Sequence, residues 1–388
     1  MIRRWRLRAG YQWSQGTEPH AVAARSWLDT RVLPWASVTS TAANAPSVAC
    51  AGVPHGIASI HGMAEGRREA LGAVTTTKVR GRVSREAVLR GEWQPEADLI
   101  AVVGSAAQVG TLPRGSALTL PFRLHVLART EDGGDGWQQR MSKSERRWSH
   151  AYQRSGSWGL EVADDPASFD YFYDRMHVPT MRARHGERGR SETRDTAREC
   201  LFRDGVLAFV TRDGVRVAGM LCHVEPRERI LTVRLVGVLD GLREHYEDGA
   251  MRTSDHLLLE WASSRGIRHV DFGGCGPFLS AGIFQWKRKV GPSAVIAPTH
   301  HGRLRVWWHA RRDTPAVRDF LVANPVAELL DDGRLRAVYF HDEQRPARLD
   351  IAGTREGFDG HRLLSLDDFF SRRPQAPLGR PRSGGKDS

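Results

Sequence analysis

Asp213-Gly214 lies between two apolar, β-rich runs, Leu207–Val210 and Val215–Leu221, and restricts what this chain can fold into more tightly than any other feature. Both central residues of a type I′ turn need positive φ, which Asp-Gly supplies at low cost, so the pair predicts a tight hairpin. A third strand, Ile230–Leu239, follows the polar EPRER turn. A loop, DGLREHYEDG, then leads into a helix from about Ala250 to Arg265, with Leu257, Leu258 and Trp261 on its apolar face and Gly266 as its stop. Ile267–Phe272 is a further strand. The order is hairpin, strand, loop, helix, strand.

Around this block the signals thin out. Asp98–Gly104 is a short buried-strand candidate, and Ala117–Leu127 is an apolar stretch broken by Pro121. Small residues dominate Ala36–Gly62, where SVTSTAANAPSV reads as loop or small-residue packing. EDGGDG, Glu131–Gly136, is the clearest linker of the first half. Met141–Arg154 is a basic helix candidate, and Pro179 is expected to interrupt any long helix over Asp170–Met181. Ser293–Pro298 and Leu304–Trp308 read as strands, and 312–370 as mixed α/β. The chain is accordingly divided into an N-terminal α/β lobe of unclear fold (1–135), a second domain (136–310), a C-terminal extension (311–371) and a disordered tail (372–388).

Composition narrows the class. At 388 residues, two lobes plus tails is the natural expectation, and 40% hydrophobic against 26% charged residues suits a water-soluble protein. No run approaches the ~18–20 apolar residues that span a bilayer. The four cysteines show no CxxC or paired-His spacing, so neither a disulfide scaffold nor a metal site is expected, and a cytoplasmic location follows. The net charge of +12 favours anionic partners, the inner membrane surface among them. Only five of 57 basic residues are lysine, however, so arginine is the default cation, and no nucleic-acid-binding signature accompanies it.

The element order from Leu207 to Phe272 resembles the core of the GNAT acyltransferase fold. The stretch from Asp271 to Phe278 (DFGGCGPF) and then from Gly282 to Gly291 (GIFQWKRKVG) resembles the FemAB-like and CelD/BioF-like families, where a Gly-rich turn leads to an aromatic-x-x-Lys segment. Phe172–Gly186 (FYDRMHVPTMRARHG) resembles their substrate side. The likeness covers about residues 140–310, and no second GNAT repeat is legible before it. It implies an α/β (α+β) fold with a mixed, largely antiparallel sheet flanked by helices. It also implies acetyl-CoA or another acyl-CoA as co-substrate, its pyrophosphate held at a helix N-terminus by Arg243, Gly249 and Ala250. Glu247 and Asp248 stand just before that glycine and would repel a phosphate.

Lys287 is the leading catalytic candidate, because lysine is scarce here and a compact charge suits a phosphate or an oxyanion. The bland alternative is a solvated basic turn. Asp271 could orient or deprotonate an acceptor, or merely hold its turn, and His185 is a candidate base or a structural turn residue. Arg146, Arg147, Tyr173, Arg182, Arg184 and Trp286 are candidates for the substrate side, with a solvated helix face as the commoner use of Arg146 and Arg147. The leading reading is direct acyl transfer to an amine or hydroxyl of a polar small-molecule, glycan or peptide acceptor, an anionic one included. The alternatives are a FemAB-like aminoacyltransferase on a cell-wall precursor, which would make charged tRNA the one nucleic acid expected, and a catalytically silent polyanion binder.

Overall fold

The computed structural model describes residues 2–130, 136–155, 157–186 and 191–372. Its strands in chain order are β1 (Ala36–Ala43), β2 (Ala45–Gly52), β3 (Val74–Arg82), β4 (Leu99–Ser105), β5 (Ala117–Pro121), β6 (Leu124–Arg129), β7 (Trp158–Ala163) and β8 (Val206–Arg212). They continue with β9 (Val215–Glu225), β10 (Ile230–Val238), β11 (His269–Cys275), β12 (Ser293–Ile296), β13 (Leu304–Ala310), β14 (Val326–Leu329), β15 (Leu335–His341) and β16 (Phe358–Ser365). They form a six-stranded sheet β3-β1-β2-β4-β13-β5, a seven-stranded sheet β12-β6-β11-β10-β9-β8-β7 and a three-stranded sheet β14-β15-β16.

The hairpin forms where Asp-Gly demands it. Asp213 and Gly214 have φ of 51° and 81°, and β8 pairs antiparallel with β9 across them. The helix after the loop spans Ala250–Ser264 and packs Leu258, Leu259 and Ala262 into the core on one face of the second sheet. Strand β11 then lies parallel to β10.

The sheets do not follow the expected division at 135 and 310. Pro121 ends β5 in the first sheet, and two residues later β6 begins in the second, between β11 and β12. Strand β13 returns the other way, between β4 and β5. Each lobe thus owns a strand from the other's stretch of chain. The first sheet also repeats the second's strand senses: an antiparallel set, one parallel junction (β2 with β4, as β10 with β11), then two antiparallel strands. The first sheet thus shares the strand senses of the second, a likeness not legible before residue 140. A sequence reader misses it because one of its strands lies some 200 residues downstream.

Two local expectations also change. The small-residue stretch from Ala36 is not loop: it is the β1–β2 hairpin, turning at Asn44 (φ 56°), followed by a helix, Pro54–Glu69. Its small side chains reflect close approach, since a Cβ on Gly56 would lie 2.6 Å from Val103 Cγ1. The chain also stays helical from Pro166 through His185, because a π-helical turn, Phe172–His177, precedes Val178 and accommodates Pro179. Of the linker and the tail, 131–135 and 373–388 lie outside the described residues.

Candidate active site

Strands β10 and β11 pair over only three positions, Ile230↔His269, Leu231↔Val270 and Thr232↔Asp271. Beyond Asp271 they part. There β10 shifts register against β9 between Val233 and Leu235, and β11 shifts against β6 between Asp271 and Gly274. The facing edges therefore carry peptide groups no longer paired with each other.

Strand alternation decides what faces this point. With side chains pointing to opposite faces at every step, His125 of β6, Asp271 of β11, Thr232 and Arg234 of β10 and His223 of β9 all line one cavity of about 250 Å³. The N-terminal helix Ile2–Gln15 closes it with Tyr11. Burial pushes the Tyr11 phenol up to about 12, so it stays protonated, and the Arg234 guanidinium lies 5.6 Å from its ring centre. Arg234 also faces Glu192 at 3.5 Å.

A buried pair lies in the wall of this cavity. Asp271 Oδ2 accepts from His125 Nδ1 at 2.6 Å, and its Oδ1 accepts from the Gly273 N–H at 2.7 Å. Asp271 thus holds the glycine turn, as one of its two sequence readings had it, and in addition bonds His125, a partner the sequence did not suggest. With the Nδ1 proton on the carboxylate side, Nε2 is left as the basic nitrogen of His125. His125 was missed in the sequence, where it looks like one polar interruption of an apolar run, Leu124-His125-Val126-Leu127. The available signal was its alternation with Leu124 and Val126, which are fully buried on the other face.

Lys287 does not reach the cavity. It sits on the inner face of the helix Gly282–Val290, 7% exposed, and its Nζ donates to the Gly274 carbonyl at 3.1 Å. Burial lowers its pKa, with Cys275 and Asp271 acting in the opposite direction. It is neither the solvated charge nor the cleft-facing ammonium considered from sequence, but a buried brace under β11. Trp286 packs against the core beside the Ala250–Ser264 helix rather than at the cavity.

The expected coenzyme loop is also differently built. Gly249 caps the helix in a left-handed conformation (φ 85°), and a Cβ there would lie 2.3 Å from the Trp148 ring. The indole, whose Nε1 donates to Thr253 Oγ1 at 3.2 Å, fills the space where a side chain at Gly249 would stand. Ala250 is buried, and Arg243 is exposed and paired with Glu247 one turn away.

The remaining candidates are dispersed. Arg146 donates to the carbonyls of Gln139 and Met141, and Arg147 is exposed. Tyr173 donates to the Glu192 carbonyl. Arg182 is exposed, and Arg184 stacks 4.0 Å over Tyr246. The His185 side chain lies outside the described residues. Among the described residues no helix is long and apolar enough to cross a membrane.

Residues 139–288 match the family described as acetyltransferase (GNAT) domain. No curated protein sequence matches the chain. Solved structures that align with it include L-PGS from Bacillus licheniformis, at 13% identity and TM-score 0.36, covering 82% of this chain and 95% of that one. Another is a DUF2156 domain from Agrobacterium fabrum assigned to lysylphosphatidylglycerol synthetase, at 12% identity and TM-score 0.37, covering 81% and 94%. A third is a GCN5-related N-acetyltransferase-like protein from Streptococcus suis, at 11% identity and TM-score 0.27, covering 80% and 100%. The matched segment, with its antiparallel meander, intervening helix and parallel strand, is a domain of the GNAT family.

Proposed function

We propose that the protein is an acyltransferase in which His125, oriented by Asp271, is the general base. The observation that carries this reading is the 2.6 Å His125–Asp271 contact in the wall of a cavity, at the level where β10 and β11 separate. An amine or hydroxyl of a small polar acceptor would lie in the cavity and lose its proton to His125 Nε2 as it attacks the donor's carbonyl carbon. The new C–N or C–O bond forms, the bond to the donor's sulfur or oxygen breaks, and that atom leaves with a proton. The unpaired peptide edges beyond Thr232 would supply donors for the oxyanion. Arg234 and Tyr11 favour an acceptor carrying a carboxylate or phosphate.

The donor in this reading is acetyl-CoA or another acyl-CoA. A second donor, aminoacyl-tRNA, is favoured by one observation: the first sheet repeats the strand senses of the second, the two-lobed arrangement expected of FemAB-like enzymes. Calorimetric titration with coenzyme A and with charged tRNA separates the two. Mass-spectrometric screening of polar amines with the donor that binds then tests turnover. Binding of neither donor would sink the acyltransferase reading.

A further inference from the structure

We propose that His55, His300 and His301, with Asp29, form a binding site for a divalent transition metal, zinc by preference, at the crossing between the two lobes. One nitrogen from each imidazole lies within 4.8 Å of the others, and the ring centres of His55 are 5.7 Å from both His300 and His301. Asp29, fully buried, brings its Oδ2 to 3.7 Å from His55 Nε2 and 3.8 Å from His300 Nε2. A tetrahedral zinc with bonds of about 2.1 Å needs ligand atoms roughly 3.4 Å apart, so modest side-chain movement closes the three imidazoles on an ion, and Asp29 approaches from the side of His55 and His300.

Two buried polar atoms are left without partners here, Asp29 Oδ1 and His55 Nε2. Unpaired buried polar atoms cost about 1–3 kcal/mol each, and a cation held by the imidazoles gives His55 Nε2 the partner it lacks. The other contacts orient the ligands: Arg25 Nε donates to Asp29 Oδ2 at 3.0 Å, and Thr299 Oγ1 lies 3.4 Å from His301 Nδ1. The rings are held neutral, as metal ligation requires. Burial lowers His55, takes His300 to about 4, and takes His301 to about 2, with repulsion from His300 and Arg123 added for the last. Three imidazoles and a carboxylate, with no thiolate, suit zinc or cobalt rather than magnesium or calcium.

The position gives the metal a structural task. Asp29 comes from the π-helical segment Leu28–Val32, His55 from the first turn of Pro54–Glu69, and the histidine pair from the turn His300–Arg303 between β12 and β13. One ion would tie the N-terminal helices to both lobes where the chain crosses. This revises the expectation of no metal, which rested on cysteine and His spacing in sequence, whereas these ligands are some 25 and 245 residues apart.

The test is zinc uptake by the full chain after EDTA treatment, measured by equilibrium dialysis near neutral pH, with Co²⁺ absorption as the geometric probe. The wild-type chain should bind about one zinc and give the intense visible absorption of tetrahedral cobalt. His55→Ala and His300→Ala should lower affinity on the order of 100-fold or more, while the exposed His150→Ala leaves it unchanged. Less than about a tenth of an equivalent bound, or unchanged affinity in both variants, would overturn the site. If the variants do not fold, the wild-type cobalt spectrum decides, a weak octahedral spectrum counting against the proposal.

Discussion

At the scale of single residues, the site turns on which side chains a bent strand edge brings together. Asp271 was visible from its place beside the glycine turn, but its partner His125 was not, because that contact joins positions 146 apart. His125→Ala is expected to lower turnover on a verified substrate by about 10²–10⁴-fold with little change in KM, as loss of a positioned base does. Asp271→Asn should give a loss of similar order, because an amide NH₂ facing Nδ1 favours the wrong tautomer. Steady-state kinetics check both, and a loss confined to KM would argue that the pair merely shapes the cavity. Lys287 illustrates the opposite error. Its scarcity marked it as special, and it is special as a buried brace on the Gly274 carbonyl. Lys287→Met should therefore cost at least tenfold less in turnover than His125→Ala. An equal or larger loss would restore the lysine to the reaction.

At the scale of elements, one packing device stands where the sequence suggested a coenzyme loop, and a second was not visible in the sequence. The glycine at the start of the Ala250–Ser264 helix looked like room for a phosphate and is room for Trp148. Gly249→Val should lower the melting temperature, by the left-handed backbone cost of about 1–2 kcal/mol plus the collision with the indole. In a Trp148→Ala background only the backbone part should remain, and additive effects in that double-mutant cycle would refute the contact. The helix Pro54–Glu69 is fastened to the β1–β2 hairpin by Arg68, 1% exposed, whose guanidinium donates to Ser40 O, Pro46 O, Ser40 Oγ and Glu65 Oε1. Arg68→Ala removes these donors and leaves Glu65 to Lys78 and Thr75, and should destabilise by about 1–3 kcal/mol in denaturant titration. This clamp was illegible in the sequence because the small, unpatterned residues of β1 and β2 carry no strand periodicity. They are small so that a helix can lie close.

At the scale of the whole molecule, the exchanged strands make the two lobes one cooperative unit. A fragment beginning at residue 136 lacks β6, which separates β11 from β12, so it should fail to give a cooperative transition by circular dichroism, whereas the full chain melts once. A fragment that folds independently would contradict the exchange. Acid should be destabilising as well. His61 and His300 are lowered to about 4 and His301 to about 2, mainly by burial, so the fold keeps them neutral while the unfolded chain takes up protons below about pH 6.5. Their contribution is complete above that value and falls away as pH drops toward 4 and below. Unfolding midpoints measured in EDTA should decline across that window, at up to about 1.4 kcal/mol per pH unit for each such histidine. The sequence by itself determined the meander, its Asp-Gly turn, the amphipathic helix and the following strand, because turn chemistry and periodicity act between neighbours. Tertiary structure decided which strand stands beside which, that the first sheet shares the strand senses of the second, and that His125 meets Asp271 and His55 meets His300. Those outcomes depend on hydrogen-bond pairing and burial between residues far apart in the chain, and local pattern carries no record of them.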